Sequence, residues 1–235
     1  MNDDELEEVL GAIEARLEED PEGALGALEA LPEEVWDEPE VMYLRGYALW
    51  SVEGPEEAAQ AMRAVVAADP GFADAHYALA EICEELGDEA GMRRHFATVL
   101  ALDAATDAAR GLGSEAELEW IAEVAEEAIA GVPAALRERL GNVAVVLEAR
   151  PSWALVEEGF DPRALGLFEG PDDLGQRSGE VQVMGSRIVL FYANLLASFA
   201  EEEAALREEI EVTVLHEIGH YFGLDEEGVA RLGLE

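Results

Sequence analysis

Apolar residues recur every three or four positions along the first half of the chain, and this spacing requires helices that each bury one face. The first helix ends before Pro21, and its apolar face is marked by Leu6, Val9, Leu10, Ile13 and Leu17. A second helix is predicted over residues 22–31. Because a helix with one apolar face is stable only when that face is covered, the first half must fold as several helices packed together.

A 34-residue periodicity runs through residues 41–102. The positions equivalent at this separation are Ala58 and Met92, Met62 and Phe96, and Val65 and Val99. A turn glycine, Gly54 or Gly87, precedes the second helix of each unit. The period, with small residues where paired helices touch, resembles tetratricopeptide repeats, in which helix pairs stack into a solenoid. The alternative is a helical bundle in which the 34-residue match is coincidental.

The composition changes at residues 111–114, which we interpret as a linker. A helix is predicted over residues 115–140, with an interruption at Pro133. Strand patterns follow at residues 142–148, 164–169, 179–184 and 187–192, the last two joined by a turn at Gly185 and Ser186. Residues 200–222 are predicted to form a final helix. The expected fold class is therefore α+β, with a helical, tetratricopeptide-like region followed by a small mixed α/β domain.

The final helix carries the pattern His-Glu-x-x-His, formed by His216, Glu217 and His220. Residues four apart share one face of a helix, so both imidazoles can reach one ion. Imidazole nitrogen is a good zinc ligand, and the pattern is typical of zinc metallopeptidases. Glu217, next to the first ligand, is positioned to accept a proton from the water that attacks a carbonyl carbon. The alternative is a helix whose two histidines are structural.

A third ligand is expected shortly after this helix. Gly223 stands where zinc enzymes with the extended motif turn the chain sharply, and Glu226 follows three residues later, at the third-ligand position. A carboxylate is an acceptable zinc ligand. Asp225 and Glu227 flank Glu226, so the choice among three acids stays open. The sequence thus predicts one zinc ion held by His216, His220 and Glu226.

The C-terminal half resembles a small bacterial family of zinc metallopeptidases with a minimal zincin-like fold. The residues that carry the resemblance are 142–146 (NVAVV), 165–170 (LGLFEG), 186–192 (SRIVLFY) and 215–224 (LHEIGHYFGL). The resemblance implies a zinc site on a mixed sheet and helix scaffold. The expected domains are residues 1–112, helical and tetratricopeptide-like, and residues 115–235, a minimal zincin-like metallopeptidase domain.

The formal net charge of −40 restricts the partners of the chain. All fourteen cationic residues are arginine, and the pI near 4.1 disfavours nucleic acid and anionic membrane surfaces, which need clustered cations. Basic peptides or proteins remain plausible partners, although most of this charge is expected to form a solvated surface. Cys83 is the only cysteine and is expected to pack as a small apolar residue. Without a signal-peptide pattern or a membrane-length apolar run, a cytoplasmic protein is expected.

These observations predict a zinc-dependent metallopeptidase in which Glu217 is the general base and the helical repeats recruit a protein. The alternative is a repeat-based interaction module whose zinc site is structural or inactive. A third interpretation is hydrolysis of a non-peptide amide.

Two further roles are hypotheses. Residues 187–192 form either an edge strand that pairs with an extended peptide or a core strand. Tyr221 either donates a hydrogen bond to a developing oxyanion or packs against the helix.

Overall fold

The computed structural model describes residues 2–140, 143–170, 186–200, 202–225, 228 and 231. The chain divides into two compact units, which we call the helical unit and the sheet unit. The helical unit comprises Met1–Asp103 and Trp153–Phe160, and the sheet unit comprises Ala104–Ser152 and Asp161–Glu235. Whether residues 1–112 and 115–235 behave as separate domains stays a prediction.

Short helices with defined ends build the helical unit. They are α1 (Asp3–Glu14), α2 (Pro21–Glu29), α3 (Pro39–Val52), α4 (Pro55–Ala68), α5 (Ala73–Glu85), α6 (Glu89–Arg110) and α9 (Trp153–Glu158), with a 3-10 turn at Glu33–Val35. Residues 104–110 at the end of α6 belong to the sheet unit. A capping box begins α1, because Asn2 Oδ1 accepts from the Glu5 N–H at 2.8 Å and Glu5 Oε2 accepts from the Asn2 N–H at 3.1 Å. Proline in the first turn starts α2, α3 and α4, where its missing N–H costs nothing.

The residues that repeat at 34-residue separation all face the interior of the helical unit. The buried set is Ala58, Met62, Val65, Met92, Phe96 and Val99. Their burial shows that α4 and α6 use the same helical face, as the periodicity predicts. The tetratricopeptide interpretation itself stays a prediction. Cys83 is buried in the same unit, packed with Met92 and Phe96, as expected for a small apolar side chain.

In its described residues, the sheet unit combines four helices of its own and the end of α6 with a three-stranded sheet. Its elements are α7 (Glu115–Gly131), α8 (Ala134–Leu140), β1 (Ala144–Glu148), β2 (Gly166–Glu169), β3 (Arg187–Phe191), α10 (Tyr192–Phe199) and α11 (Glu203–Tyr221). The break between α7 and α8 falls at Pro133, as predicted, since a proline ring cannot follow a helical turn without a clash. Together with the helical unit, this arrangement confirms the α+β fold class.

The described strands are ordered β1-β3-β2, so β3 is the central strand. It pairs in parallel with β1, where Val146 lies opposite Val189, and antiparallel with β2, where Phe168 lies opposite Ile188. The hypothesis that residues 187–192 form an edge strand is therefore wrong, and Tyr192 already belongs to α10. The physical reason is that both hydrogen-bonding edges of β3 are already paired, and Ile188 to Phe191 are also almost inaccessible to solvent. The strand predicted at 179–184 and its turn at Gly185 lie outside the described residues.

A buried polar network ties the sheet unit together. Arg150 pairs with Asp107 at 2.5 Å, and the guanidinium also donates to Asn194 Oδ1. The Asn194 amide in turn donates to the carbonyls of Pro162 (3.0 Å) and Ala164 (2.6 Å). Because every member has a partner, this network can be buried without the desolvation cost of an unmatched polar group. It fixes the loop that leads into β2.

No helix in the described part of the chain combines the length and the apolar character needed to cross a bilayer.

Two histidines face each other inside the helical unit. Nδ1 of His76 on α5 lies 3.0 Å from Nδ1 of His95 on α6, and the ring centroids are 5.2 Å apart. One imidazole must donate and the other accept, so this contact requires at least one neutral ring. Burial lowers the pKa of His95 from 6.5 to about 4, together with the nearby positive charges of His76, Arg94 and Arg63. The nearby Asp88 opposes this shift. Burial likewise lowers the pKa of His76, against a hydrogen bond with the Pro70 carbonyl.

We expect His95→Gln to make the protein less sensitive to acid. Because its pKa is lowered on folding, His95 contributes stability above pH 6.5 that is lost as the pH falls toward 4. Between pH 7 and 5 the wild-type free energy of unfolding should fall by about 1–2 kcal/mol relative to the variant, a value reduced because the ring is half-exposed. Urea unfolding of both proteins at the two pH values measures this difference, and parallel pH profiles would contradict it.

Candidate metal site

Helix α11 carries the two histidines and also forms much of the core of the sheet unit. One face of α11 is buried, and its apolar members are Leu206, Ile210, Val214, Ile218 and Tyr221. His216 and His220 lie on a neighbouring face and are only partly buried. The core contacts hold the helix rigidly, while the imidazoles stay accessible from solvent. This division is what a site for an exchangeable ligand requires.

The two imidazoles converge on a common point. Nε2 of His216 lies 3.0 Å from Nε2 of His220, and the rings stand at 73° to each other. Two nitrogens bound to one tetrahedral zinc ion at about 2.0–2.1 Å are roughly 3.4 Å apart. The observed separation is close to that value, so a small side-chain adjustment would suffice. The donor pair therefore fits a zinc ion.

The turn after α11 fixes the tautomer of His220. Gly223 has a φ of +79°, and its N–H donates to the carbonyl of His220 while the N–H of Leu224 donates to that of Gly219. This is a Schellman motif, which favours glycine because other residues are strained at positive φ. The turn brings the Leu224 carbonyl within 3.0 Å of His220 Nδ1. A carbonyl only accepts, so Nδ1 carries the proton and a neutral ring presents the lone pair of Nε2 to a metal.

Glu217 lies beside the histidines and is buried, with 6% of its surface exposed. The neighbouring strand β2 leaves room for it at Gly166. A Cβ atom at Gly166 would lie 3.1 Å from Glu217 Oε1, 3.2 Å from Glu217 Cγ and 2.7 Å from Thr213 Cγ2. Glycine at this strand position therefore allows the close approach of Thr213 and Glu217 on α11, and an added Cβ would force these side chains to shift.

Glu226, the third ligand predicted from the sequence, and its neighbour Glu227 lie outside the described residues. Asp225 is described and exposed, and its Oδ1 accepts from the Gly228 N–H at 2.9 Å. Its carboxylate is thus engaged by the local turn. Within the part of the chain that the structure describes, no cluster of three or more His, Cys, Asp and Glu side chains could hold a metal ion.

Tyr221 belongs to the core. Only 1% of its surface is exposed, its hydroxyl donates to the Arg139 carbonyl at 2.6 Å, and its ring packs edge-on against Phe168. The packing alternative is therefore confirmed, and nothing in this geometry directs the hydroxyl to an oxyanion.

Sequence reasoning identified both histidines and Glu217, but it did not show that Gly166 adjoins Glu217 or that the Leu224 carbonyl contacts His220. Gly166 was part of the segment that resembles the zincin-like family, yet nothing in the sequence indicated that it adjoins Glu217. The Leu224 carbonyl as a partner of His220 follows from the turn at Gly223, which the sequence did signal. A glycine that ends a ligand-bearing helix is therefore a usable sign of such support.

We expect Gly223→Ala to weaken zinc binding about tenfold or more. A Cβ at positive φ is strained, so the turn should shift and the Leu224 carbonyl should release His220, and loss of such outer partners typically costs 10–100-fold in metal affinity. Competition against a chromophoric chelator measures the change. Gly87→Ala is the matched control, since Gly87 has a φ of +73° in the helical unit with nothing near the added methyl. Equal effects of both variants would contradict the expectation.

Comparison with known protein families gives a match to the part of the chain that contains α11. Residues 140–234 match a protein-family model described as Zincin-like metallopeptidase. The match includes β1, β2, β3, α10 and α11, and with them both histidines and Glu217. No curated protein matches the chain significantly. The C-terminal part of the chain is therefore similar to this family, and that similarity implies a zinc cofactor.

Proposed function

We propose that the chain is a zinc-dependent metallopeptidase, in which His216, His220 and Glu226 hold one zinc ion and Glu217 is the general base. The observation that carries this proposal is the convergence of the two Nε2 atoms, 3.0 Å apart, beside a buried carboxylate on the same helix. The similarity of residues 140–234 to the zincin-like family supports it. Glu226 is preferred over Asp225 and Glu227 because it follows Gly223 by three residues, the third-ligand position of the extended motif.

A zinc ion in such a site acts as a Lewis acid on a carbonyl and lowers the pKa of water to about 7. The protein supplies the remaining chemistry. Glu217 accepts the proton of the attacking water at a carboxylate oxygen and then passes it to the amine that leaves. Burial keeps this carboxylate in one position, and Gly166, which has no Cβ, lets it approach the sheet. His220, oriented through Nδ1, directs its Nε2 toward Nε2 of His216.

The substrate is proposed to be a peptide or protein that pairs with β2. Within the described sheet, β2 has β3 on one side only, and its Gly166 adjoins Glu217. An extended peptide added to this edge would gain backbone hydrogen bonds and run past the catalytic carboxylate. The net charge of −40 favours basic substrates.

We expect Glu217→Gln to keep about one zinc ion per chain and to lower peptide cleavage by 100-fold or more, because a neutral amide cannot accept the proton. Elemental analysis and a peptide library measure the two properties. His216→Ala should lose the metal. Glu211→Gln is the matched control, since this partly exposed glutamate lies on the same helix, outside the site, and should leave both properties intact.

The same measurements separate the alternatives. Zinc retained without cleavage of any peptide by the wild type would favour an interaction module with a structural or inactive site. Unfolding on chelation would indicate that the metal stabilises the fold. Cleavage of non-peptide amides alone would favour the third interpretation.

We expect Gly166→Ala to lower the turnover rate about tenfold or more while zinc stays bound. The added methyl would collide with Glu217 and Thr213, so the carboxylate should move away from its productive position, and small displacements are costly in catalysis. Gly131→Ala, where nothing lies within 4 Å of the added atom, is the control for the general effect of the substitution. Unchanged turnover in Gly166→Ala would show that this contact does not position the base.

A further inference from the structure

A row of aromatic rings crosses the helical unit. Ring centroids of Tyr43 and Phe72 are 5.3 Å apart, those of Tyr43 and Tyr47 are 6.2 Å apart, and those of Tyr47 and Trp50 are 6.0 Å apart. Tyr43, Tyr47 and Trp50 lie on one face of α3, at spacings of four and three residues. All four rings are only partly buried. They therefore support the core from one side and keep a solvent-facing edge.

One end of this row opens into a groove of about 910 Å³, which we call the acidic groove. Its floor is apolar and is contributed by α1, α3, the 3-10 turn and the start of α5, through Leu6, Leu10, Val35, Leu44, Tyr43 and Phe72. Leu10, Val35 and Leu44 are also core residues, so the floor is fixed by packing. A volume of this size accommodates several side chains of a peptide.

The rim of the acidic groove carries negative charge from every element that builds it. The acidic lining residues are Glu7, Glu14, Glu34, Glu38, Glu40 and Asp74. Among the lining residues that the structure describes, none is cationic. Negative charge also borders the aromatic row. Burial and the nearby carboxylates of Glu81 and Glu18 raise the pKa of Tyr47. Trp50 Nε1 donates to Glu85 at 2.8 Å. Aromatic faces bordered by carboxylates attract cations by cation–π contact and by ion pairing.

We propose that the acidic groove binds a basic peptide segment, with apolar side chains on its floor and arginine or lysine side chains on its rim. Charge complementarity selects this occupant. An acidic peptide or a nucleic acid would be repelled, and a second copy of this chain also carries a net charge of −40. Binding is a property of the helical unit and needs no metal. Its use in substrate recruitment rests on the proposed peptidase function.

The test is a fluorescence anisotropy titration of the full chain with a short labelled peptide of alternating arginine and leucine. The expected result is saturable binding that weakens as salt rises from about 0.05 to 0.3 M, because screening shortens the range of the rim charges. Peptides with glutamate for arginine, or serine for leucine, should bind at least about tenfold more weakly. Repeating the titration with metal-stripped protein and with Glu217→Gln should change nothing, so failure here is distinguishable from failure of the peptidase proposal.

A matched pair of triple variants locates the binding surface. Glu7→Gln, Glu14→Gln and Glu38→Gln together remove three exposed rim charges and should weaken binding about five- to thirtyfold. Glu8→Gln, Glu53→Gln and Glu84→Gln remove the same charge from exposed positions outside the groove and should change it less than about twofold. Circular dichroism verifies that both triples fold.

Equal weakening by both triples would reduce the binding to general charge attraction and overturn the proposal, as would the absence of binding. Self-association in sedimentation experiments that only the groove triple abolishes would assign the groove to a second copy, which also overturns it.

Discussion

The candidate site depends on one constraint: a single helix must bury an apolar face and present two imidazoles to solvent on another. Helix α11 meets this constraint because the helical period separates the faces. Ile210, Val214 and Ile218 anchor it in the core, while His216 and His220 project one turn apart. The geometry of the donor pair is thus a consequence of core packing. A substitution in the core that displaced α11 would therefore move both imidazoles, although it changed neither histidine.

The supporting contacts come from backbone as much as from side chains. A left-handed glycine, Gly223, bends the chain so that a carbonyl meets His220, and a second glycine, Gly166, removes the atoms that would displace Glu217. Both positions depend on the absence of a Cβ. At Gly223 a Cβ would be strained at positive φ, and at Gly166 it would occupy space that Thr213 and Glu217 need. Substitution of such residues changes a site without changing its chemical groups. These positions explain why the presence of His-Glu-x-x-His alone is a weaker indication of function than the motif with its turn and its adjacent strand.

Local patterns carried most of what could be predicted from the sequence. The helices, the break at Pro133, the two histidines on one face and the turn at Gly223 all follow from spacing within a few residues. Properties that depend on distant pairing did not follow. The central place of β3 depends on which strands flank it, and the proximity of Gly166 to Glu217 depends on how α11 crosses the sheet. The 3.0 Å contact between His76 and His95 joins residues nineteen apart in the sequence, and no local pattern indicates it.

Charge limits how a recruited peptide would reach the metal. At physiological ionic strength, charges separated by more than about 8 Å are largely screened from each other. The rim of the acidic groove can therefore hold a basic segment but cannot attract it from longer distances. Recruitment would therefore depend on the covalent connection between the bound segment of the substrate and the segment that is cleaved. A substrate held by one segment presents its other segments to the same chain at an effective concentration that reaches the millimolar range for short flexible connections. The requirement on the substrate is then a basic, partly apolar docking segment joined by flexible chain to an extended stretch that can pair with β2. Specificity would reside largely in the docking segment, because backbone pairing at a strand edge discriminates little between sequences.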